Sequence, residues 1–344
     1  MEKLHIVYAS SEEYAPVLQV SIVSLLDNKK EATFYQIYII VEKMFSEQFA
    51  QLFSEVVNRF SGFEIQWVVV GDAFANTRVN AFGVGKESNY RLLITELLDE
   101  GVDKCLYLDA DTLVLEDLYE IFQINISEKY ISGLHPRHFL KTATQDYTTP
   151  HFDMYEKLCQ KYAGDLRYDE YVGAGVLLMN LKKMRHDHMA QVFFSEIPAH
   201  SGPIDQEILN ACCYGHIGQL PLECCLDLHE LQGEDWYRDT DQVLYQQLVE
   251  AKRNPVIIHF SDKYKPWKYL GIPYEKEWWR YAYAMGAAEY LWDNLVERNK
   301  IPITYFEEEL AKVTHSLSYR IGRKITCIPR GIKHGVERLK KIRG

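Results

Sequence analysis

Residues 104–111 read KCLYLDAD, a short apolar run that ends in two carboxylates separated by a single residue. A run of this length, rich in aliphatic and aromatic side chains, predicts a buried β-strand over Lys104–Leu108. Ligands of an open α/β sheet bind beyond the carboxyl ends of its strands, which is where Asp109 and Asp111 would lie. This stretch therefore indicates an α/β fold and also the place where its chemistry is expected.

The sequence on either side alternates β-branched and aromatic runs with segments of helical periodicity, the pattern of βα units on a largely parallel sheet. Further strands are predicted over Leu4–Ala9, Phe34–Val41, Phe63–Val70, Tyr130–Leu134, Gly175–Asn180 and Val256–His259. Helices with apolar residues three and four apart are predicted over Tyr14–Leu26, Ser46–Phe60, Ser88–Leu98, Met184–Ile197 and Asp205–Cys213. The predicted fold class is α/β, with a Rossmann-like mixed, mostly parallel sheet flanked by helices.

Two segments depart from this alternation. Residues 135–170 are polar and rich in Tyr, and we interpret them as a mobile lid or an acceptor-side excursion from the sheet. From about Tyr274 onwards, aromatic and then basic helical material follows. We therefore predict one catalytic domain over residues 1–273 and a helical, basic C-terminal extension over residues 274–344.

The composition excludes several classes of protein. The net charge of −11 argues against general nucleic-acid binding. The seven cysteines form no CxxC pair and no regular framework, which favours a reduced, cytoplasmic compartment. The N-terminal residues lack the apolar core of a signal peptide, and no stretch approaches the roughly 18 uncharged apolar residues that span a bilayer. We expect a cytoplasmic protein, either soluble or peripheral on the inner face of the cell membrane.

The carboxylate pair has more than one interpretation. Asp109 and Asp111 can coordinate Mg²⁺ or Mn²⁺ while leaving positions for diphosphate oxygens, and the metal would then act as a Lewis acid on a departing nucleoside diphosphate. The sequence DADT of Asp109–Thr112 also resembles the DxDxT pattern of haloacid-dehalogenase phosphatases, although that motif ordinarily follows the first strand and here about a hundred residues precede it. A turn or helix-capping use of the two aspartates is the third possibility.

Six blocks of sequence, in order, resemble glycosyltransferase family 8, the retaining enzymes that include glycogenin and the bacterial lipopolysaccharide galactosyl- and glucosyltransferases. The blocks cover about residues 4–270 and read HIVYASSEEYAPVLQVSIVSLLDN, NYRLLITELL, KCLYLDADTLVLEDL, YVGAGVLLMNLKKMR, PIDQEILN and HFSDKYKPW. The resemblance implies a glycosyltransferase A type fold and a UDP-sugar donor.

The resemblance also implies a role for individual residues. It makes Asp109, Asp111 and His259 the ligands of a Mn²⁺ or Mg²⁺ ion, and Asp205 and Gln206 the catalytic pair that contacts the transferred sugar. The uracil and ribose would lie in the first strand-to-helix loop, and Arg91 and Lys265 would face the diphosphate or the sugar. The implied nucleotide-sugar-binding residues are Ala9, Ser11, Glu13, Tyr14, Arg91, Asp109, Ala110, Asp111, Asp205, Gln206 and Lys265.

The activity implied is metal-dependent transfer of a hexose, galactose or glucose, from a UDP-sugar to a hydroxyl of a saccharide or lipid-linked glycan. Retention by double displacement requires a nucleophile, and Gln206 is a poor one, so a front-face path is favoured. A non-catalytic sugar-nucleotide or glycan-binding homologue is the alternative. The sequence departs from the family pattern at Asp262, where a Gly is usual, and at Gly173, where relatives often carry Asn.

The C-terminal segment has a charge of its own. Residues 320–344 carry nine Lys or Arg residues against Glu337 alone, a net charge of +8 that leaves −19 for the rest of the chain. A cationic amphipathic helix suits an anionic lipid surface, with roughly 1 kcal/mol for each basic residue near it. A charged helix that packs on the domain or frays is the alternative, because one Pro and two Gly residues weaken it. The residues of the apolar face are Ile332, Val336, Leu339 and Ile342.

Deletion of residues 320–344 should abolish salt-sensitive sedimentation with anionic vesicles, because it removes the predicted basic anchor. Hydrolysis of the sugar nucleotide should persist, since the deleted segment contains no predicted site residue. Vesicle binding that is unchanged by the deletion would exclude the tail as the anchor.

Overall fold

The computed structural model describes residues 3–71, 86–137, 150–197, 205–261 and 265–299. Within these ranges the strands are β1 Lys3–Ala9, β2 Phe34–Val41, β3 Phe63–Val69, β4 Lys104–Asp109, β5 Thr112–Val114, β6 Ile131–Gly133, β7 Val176–Asn180, β8 Ile217–Gln219, β9 Leu226–Asp227 and β10 Ile257–His259. Short 3-10 helices cover Glu12–Tyr14, Lys86–Leu93 and Leu222–Cys225.

The α-helices of the same ranges lie between and after these strands. They are α1 Ala15–Asp27, α2 Glu47–Arg59, α3 Ile94–Leu97, α4 Tyr119–Gln123, α5 Pro150–Tyr162, α6 Leu181–His186, α7 Met189–Glu196, α8 Asp205–Cys212, α9 Leu228–Gln232, α10 Glu234–Thr240, α11 Gln242–Arg253, α12 Glu275–Ala284 and α13 Ala287–Asn299. Strands and helices alternate through most of the chain, as the sequence predicts.

The main sheet has the strand order β3-β2-β1-β4-β7-β6-β8. Strands β1 to β4 pair in parallel, β7 is antiparallel to both β4 and β6, and β6 is parallel to β8. The sheet is therefore mixed and mostly parallel, which confirms the predicted fold class. Since β1 and β4 are parallel neighbours, their carboxyl ends meet at one edge of the sheet.

Both faces of this sheet are covered. In β1, Ile6 and Tyr8 belong to the core that includes α1, whereas Val7 and Ala9 belong to the opposite core, which includes α5 and α8. Burial on both faces produces continuous apolar strands rather than an alternating pattern, and this is why β1, β2 and β4 are recognisable in the sequence. Trp278 of α12 is fully buried in the first core.

A second, three-stranded sheet has the order β5-β10-β9. Strand β10 pairs antiparallel with β5, so that His259 lies opposite Thr112, and pairs in parallel with β9, so that His259 lies opposite Asp227. This small sheet places the end of β10 next to the turn that follows β4. Of its strands, the sequence predicts only β10.

Three predicted elements differ from the structure. The predicted helix Ser88–Leu98 is a 3-10 helix up to Leu93, and only Ile94–Leu97 is α-helical. The guanidinium of Arg185 donates hydrogen bonds to backbone carbonyls in and directly after this short α-helix. The predicted helix Met184–Ile197 is two helices, because His188 adopts a left-handed backbone conformation with φ of 56°. The polar segment 135–170 contains the thirteen-residue helix α5.

The chain divides into two compact units, residues 1–295 and 296–344. The first unit includes α12 and continues to Leu295. The basic segment 320–344 lies outside the described residues. Among the described residues, no helix is both long enough and apolar enough to cross a membrane.

Candidate active site

The two carboxylates of the DAD motif lie on a tightly held turn. Asp109 ends β4 and is the register partner of Ala9 on β1. The Thr112 hydroxyl donates to the Asp109 carbonyl at 2.9 Å and lies 2.9 Å from the Ser21 hydroxyl of α1. Thr112 is fully buried, so the threonine that follows the two aspartates has a structural role in holding the turn.

His259 approaches this turn from the small sheet. Its Nε2 lies 3.3 Å from Asp111 Oδ1 and 3.7 Å from Asp109 Oδ2. One ligand atom from each of the three residues lies within 4.8 Å of the other two. Asp111 Oδ1 is buried and, within the described residues, accepts no hydrogen bond of good geometry. Three converging ligand residues, one of them with a carboxylate oxygen that lacks a hydrogen bond, fit a hard divalent cation.

The imidazole of His259 lies directly against the backbone of Gly175. A Cβ atom at Gly175 would lie 2.2 Å from His259 Cε1 and 2.6 Å from its Nε2. The Gly175 carbonyl also accepts the backbone N–H of Asp109 at 2.8 Å. The glycine is therefore required for close packing at the site, although the sequence analysis treats it only as the start of a strand.

Arg91 is buried and connects two of the predicted site carboxylates. Its guanidinium lies 2.9 Å from Asp109 Oδ1 and 3.0 Å from Asp205 Oδ2, and it also donates to the Ala174 carbonyl. Only 4% of the residue is exposed, so it belongs to a buried network and not to a surface salt bridge. Burial raises the pKa of Asp205, and the charge of Arg91 opposes that effect.

Lys265 is the second buried cation. Its ammonium lies 2.5 Å from Asp111 Oδ2 and donates to the Phe260 carbonyl. Burial alone would raise the pKa of Asp111, but Lys265 and His259 outweigh it, so that this pKa lies well below its usual range. For His259, burial is likewise outweighed by its carboxylate partners, and its pKa is raised well above the usual value. A divalent cation would take the place of that proton.

Asp205 and Gln206 lie at the start of α8, beside the entry to β7. The Gln206 carbonyl oxygen accepts the Ala174 N–H at 2.9 Å, and its amide donates to the Tyr171 hydroxyl at 2.7 Å. Both ends of the amide are therefore fixed. A Cβ at Gly173 would meet, among the described residues, only the Leu134 carbonyl at 3.9 Å, so neither crowding nor backbone geometry requires this glycine.

The first loop lies at the same edge of the sheet. Tyr14 packs edge-on against Trp267, with 6.2 Å between ring centroids. Burial raises the pKa of Tyr14, and the charges of Asp111 and Asp109 raise it further. Ser11 is half-buried and Glu13 is exposed. Ala110 is buried within the DAD turn. Asp262, where the sequence departs from the family pattern, lies outside the described residues.

Asp227 is a site residue that the sequence analysis misses. Its Oδ2 lies 3.1 Å from His259 Nδ1, on the side of the ring away from Asp109 and Asp111. Its only signal in the sequence is an apolar run that ends in an aspartate, CCLD, a pattern shared with LYLD of β4. In this site Arg91 faces Asp109 and Asp205, Lys265 faces Asp111, and His259 faces Asp227.

Comparison with known proteins gives matches over most of the chain. The family model described as "Glycosyl transferase family 8" matches residues 5–271. General stress protein A of Bacillus subtilis (strain 168) is 25% identical over 293 residues, which cover 81% of this chain and 93% of that protein. Lipopolysaccharide 1,2-glucosyltransferase of Escherichia coli is 22% identical over 274 residues, 77% of this chain and 74% of that protein.

Solved structures share the fold. The galactosyltransferase LgtC, in complex with donor and acceptor sugar analogues, has a TM-score of 0.62 and 21% identity, covering 82% of this chain and 96% of that one. The apo structure of the bifunctional glycosyltransferase WbbM has a TM-score of 0.70 and 19% identity, covering 85% of this chain, which spans 51% of the WbbM chain. These neighbours confirm the glycosyltransferase A type fold. Because the family model matches most of its residues, the chain belongs to glycosyl transferase family 8.

Proposed function

We propose that this glycosyltransferase transfers galactose or glucose from a UDP-sugar, with retention, to a hydroxyl of a saccharide or lipid-linked glycan acceptor. The observation that carries the proposal is the convergence of Asp109, Asp111 and His259 at the carboxyl edge of the sheet. A role in cell-surface polysaccharide assembly is supported by relatives that include a lipopolysaccharide 1,2-glucosyltransferase and by the fold shared with LgtC. The basic segment 320–344 would hold the enzyme at the cytoplasmic face of the membrane.

Asp109, Asp111 and His259 would hold Mn²⁺ or Mg²⁺. When bound, such an ion supplies Lewis acidity that stabilises the charge on a departing diphosphate. Lys265 would add a point charge on the same side, where its ammonium now lies on Asp111. Ala9, Ser11, Glu13 and Tyr14 would surround the uracil and ribose, since β1 ends beside Asp109.

Asp205 and Gln206 would contact the transferred sugar, with Arg91 and Ala110 lining the donor site. Because Arg91 bonds to both Asp109 and Asp205, it sets the distance between the carboxylate on the metal side and the carboxylate on the sugar side. The Gln206 amide is held by Ala174 and Tyr171 at both ends, so it can orient a sugar hydroxyl without rotating. Fixed geometry of this kind lowers the barrier by positioning the reactants.

Retention would follow a front-face path. An amide is a weak nucleophile, and both ends of the Gln206 amide are already hydrogen-bonded, which argues against a covalent sugar intermediate at this residue. The acceptor hydroxyl would attack the anomeric carbon from the side that UDP leaves, and a departing phosphate oxygen would take the acceptor proton. On this path the protein supplies positioning and charge, and no separate general base is required.

Asp111→Asn and Asp109→Asn should each lower metal-dependent release of UDP from a UDP-sugar by at least about a hundredfold, because a ligand charge is lost while the shape is nearly kept. The assay is a panel of UDP-sugars with Mn²⁺. Asp103→Asn is the matched control, since Asp103 is an exposed carboxylate near the other end of β4. Wild-type rates in the two site variants would rule out the metal assignment. A wild-type protein that binds UDP-sugars but never releases UDP would be a non-catalytic homologue.

Gln206→Ala should depress sugar transfer more than nucleotide affinity, because its proposed contact is to the reacting sugar. Calorimetric titration with UDP and Mn²⁺ should give a Kd close to that of the wild-type protein. The exposed Gln219→Ala provides a control for loss of an amide elsewhere. Loss of UDP binding in a correctly folded Gln206→Ala protein would assign this residue to the nucleotide site instead.

Gly175→Ala should weaken Mn²⁺ binding by about tenfold or more, because the new Cβ would overlap His259 and displace a ligand. Gly173→Ala, two residues away, should bind Mn²⁺ like the wild-type protein, since its Cβ meets no close neighbour among the described residues. Electron paramagnetic resonance titration of free Mn²⁺ measures both. Equal affinities in the two variants would show that His259 does not depend on the space at Gly175.

A further inference from the structure

We propose that Asp227 is a positioning residue that fixes the orientation and tautomer of His259, so that Nε2 is the nitrogen offered to the metal. This inference rests on the proposed function, because it assumes that Asp109, Asp111 and His259 form the metal site. Asp227 would not touch the metal or the donor. It would act through the ring that it holds.

The register of the small sheet places the two residues side by side. Asp227 ends β9 and is the direct partner of His259, which ends β10. Asp227 Oδ2 lies 3.1 Å from Nδ1, while Nε2 of the same ring lies 3.3 Å from Asp111 Oδ1. The opposite edges of one imidazole therefore face different carboxylates, and only one edge faces the metal site.

Asp227 is itself held in place. Its Oδ1 accepts the Ser261 hydroxyl at 2.6 Å and the His229 backbone N–H at 2.8 Å, which leaves Oδ2 for the imidazole. The side chain is only 13% exposed, so water does not compete strongly for these bonds. An ionised carboxylate only accepts hydrogen bonds, and Nδ1 must therefore carry the proton when it faces Oδ2. In the neutral imidazole that can bind a metal, Nε2 is then the unprotonated nitrogen.

The other side of the ring is limited by the backbone. Gly175 lies so close to His259 that a single added carbon would overlap Cε1 and both ring nitrogens. The imidazole is thus confined between a glycine and an anchored carboxylate, and a ring flip would break the bond to Asp227. Ligand histidines in metal sites are commonly held in this way, and loss of the outer carboxylate typically costs 10-fold to 100-fold in metal affinity.

The geometry separates this role from that of a fourth ligand. The cluster of possible ligands found among the described residues contains Asp109, Asp111 and His259, and does not include Asp227. Asp227 lies on the Nδ1 side of the ring, so an ion at Nε2 is separated from it by the width of the imidazole. Its contribution must pass through His259.

The test measures the Mn²⁺ affinity of the full-length protein by electron paramagnetic resonance, in the absence of a sugar-nucleotide donor. Asp227→Ala should raise the Kd for Mn²⁺ by 10-fold to 100-fold, and Asp227→Asn, which keeps an oxygen acceptor, should recover part of the loss. In histidine-labelled wild-type protein with Mg²⁺, nitrogen NMR should show His259 protonated at Nδ1. Asp227→Ala should lose that single protonation pattern, which a purely structural role would not alter.

The matched control is Asp117→Asn. Asp117 is also buried and accepts the Lys30 N–H at 2.8 Å, the Tyr119 N–H at 3.0 Å and the Tyr35 hydroxyl at 3.2 Å, but it has no contact with His259. This variant should lower the Tm and leave the Kd for Mn²⁺ unchanged. If Asp227→Ala does not fold, Ser261→Ala serves instead, because it removes one of the two hydrogen bonds that hold Asp227 Oδ1 and should weaken Mn²⁺ binding to a smaller extent.

The outcomes separate the two proposals. If His259→Ala abolishes Mn²⁺ binding and Asp227→Ala binds Mn²⁺ like the wild-type protein, the metal site stands and the positioning role is wrong. If the wild-type protein itself binds no Mn²⁺ with or without UDP, the metal assignment of the proposed function fails first. A Tm loss in Asp227→Asn without any change in Kd or in His259 protonation would also overturn the positioning role.

Discussion

The burial of negative charge at one edge of the sheet is the constraint on which the rest of the site depends. Asp111, Asp205 and Asp227 have side chains that are no more than 13% exposed. An unpaired buried carboxylate costs several kcal/mol, and removing one member of a buried ion pair typically costs about 3–5 kcal/mol. Each of these groups therefore has a cationic or hydrogen-bonding partner, and the partners decide which parts of the chain must meet here.

The partners come from separated parts of the chain, and each arrives on an element whose position is fixed by other contacts. Arg91 arrives at the end of a 3-10 helix, His259 at the end of β10, and Lys265 shortly after it. Antiparallel pairing of β10 with β5 aligns His259 with the DAD turn through backbone hydrogen bonds alone. The protein thus builds the geometry of the site from strand register, and side-chain charge then stabilises an arrangement that the backbone has already made.

Much of this could be predicted from the sequence, for a physical reason that also sets its limit. Strands buried on both faces give uninterrupted apolar runs, and β4 ends such a run at the DAD motif, so Asp109 and Asp111 can be recognised from the sequence pattern. The role of His259 is implied by the family resemblance and not by the pattern of β10. Strands β5, β8 and β9 have two or three residues, and the sequence predicts none of them as a strand. Asp227 belongs to β9, and its place beside His259 depends on parallel pairing with β10, a strand some thirty residues later.

Helix α5 was missed for a different reason. Its apolar positions Tyr155, Leu158 and Cys159 have helical spacing and are buried, but the tyrosines and polar residues of segment 135–170 favour the interpretation as a lid or an acceptor-side excursion. A tyrosine can fill an apolar core or line a sugar-binding surface, and the sequence alone does not show which environment its ring occupies. Gly175 was treated as an ordinary strand residue for a similar reason, because the crowding that requires it comes from His259, which is distant in sequence.

The long separation along the chain between Asp111 and its partners has a consequence for how the protein is made. During synthesis, β1 to β4 emerge with Asp109 and Asp111 in place, yet the cations of the last site segment, His259 and Lys265, are about 150 residues away. Contacts that close such a long loop form late, because the chain entropy must be lost before they can stabilise anything. A nascent chain would therefore hold an N-terminal sheet in which Asp109 can already pair with Arg91 while Asp111 still lacks both of its partners. Pairing of β10 with β5 would then bring His259 to Asp111, with Lys265 following, and would complete the native site.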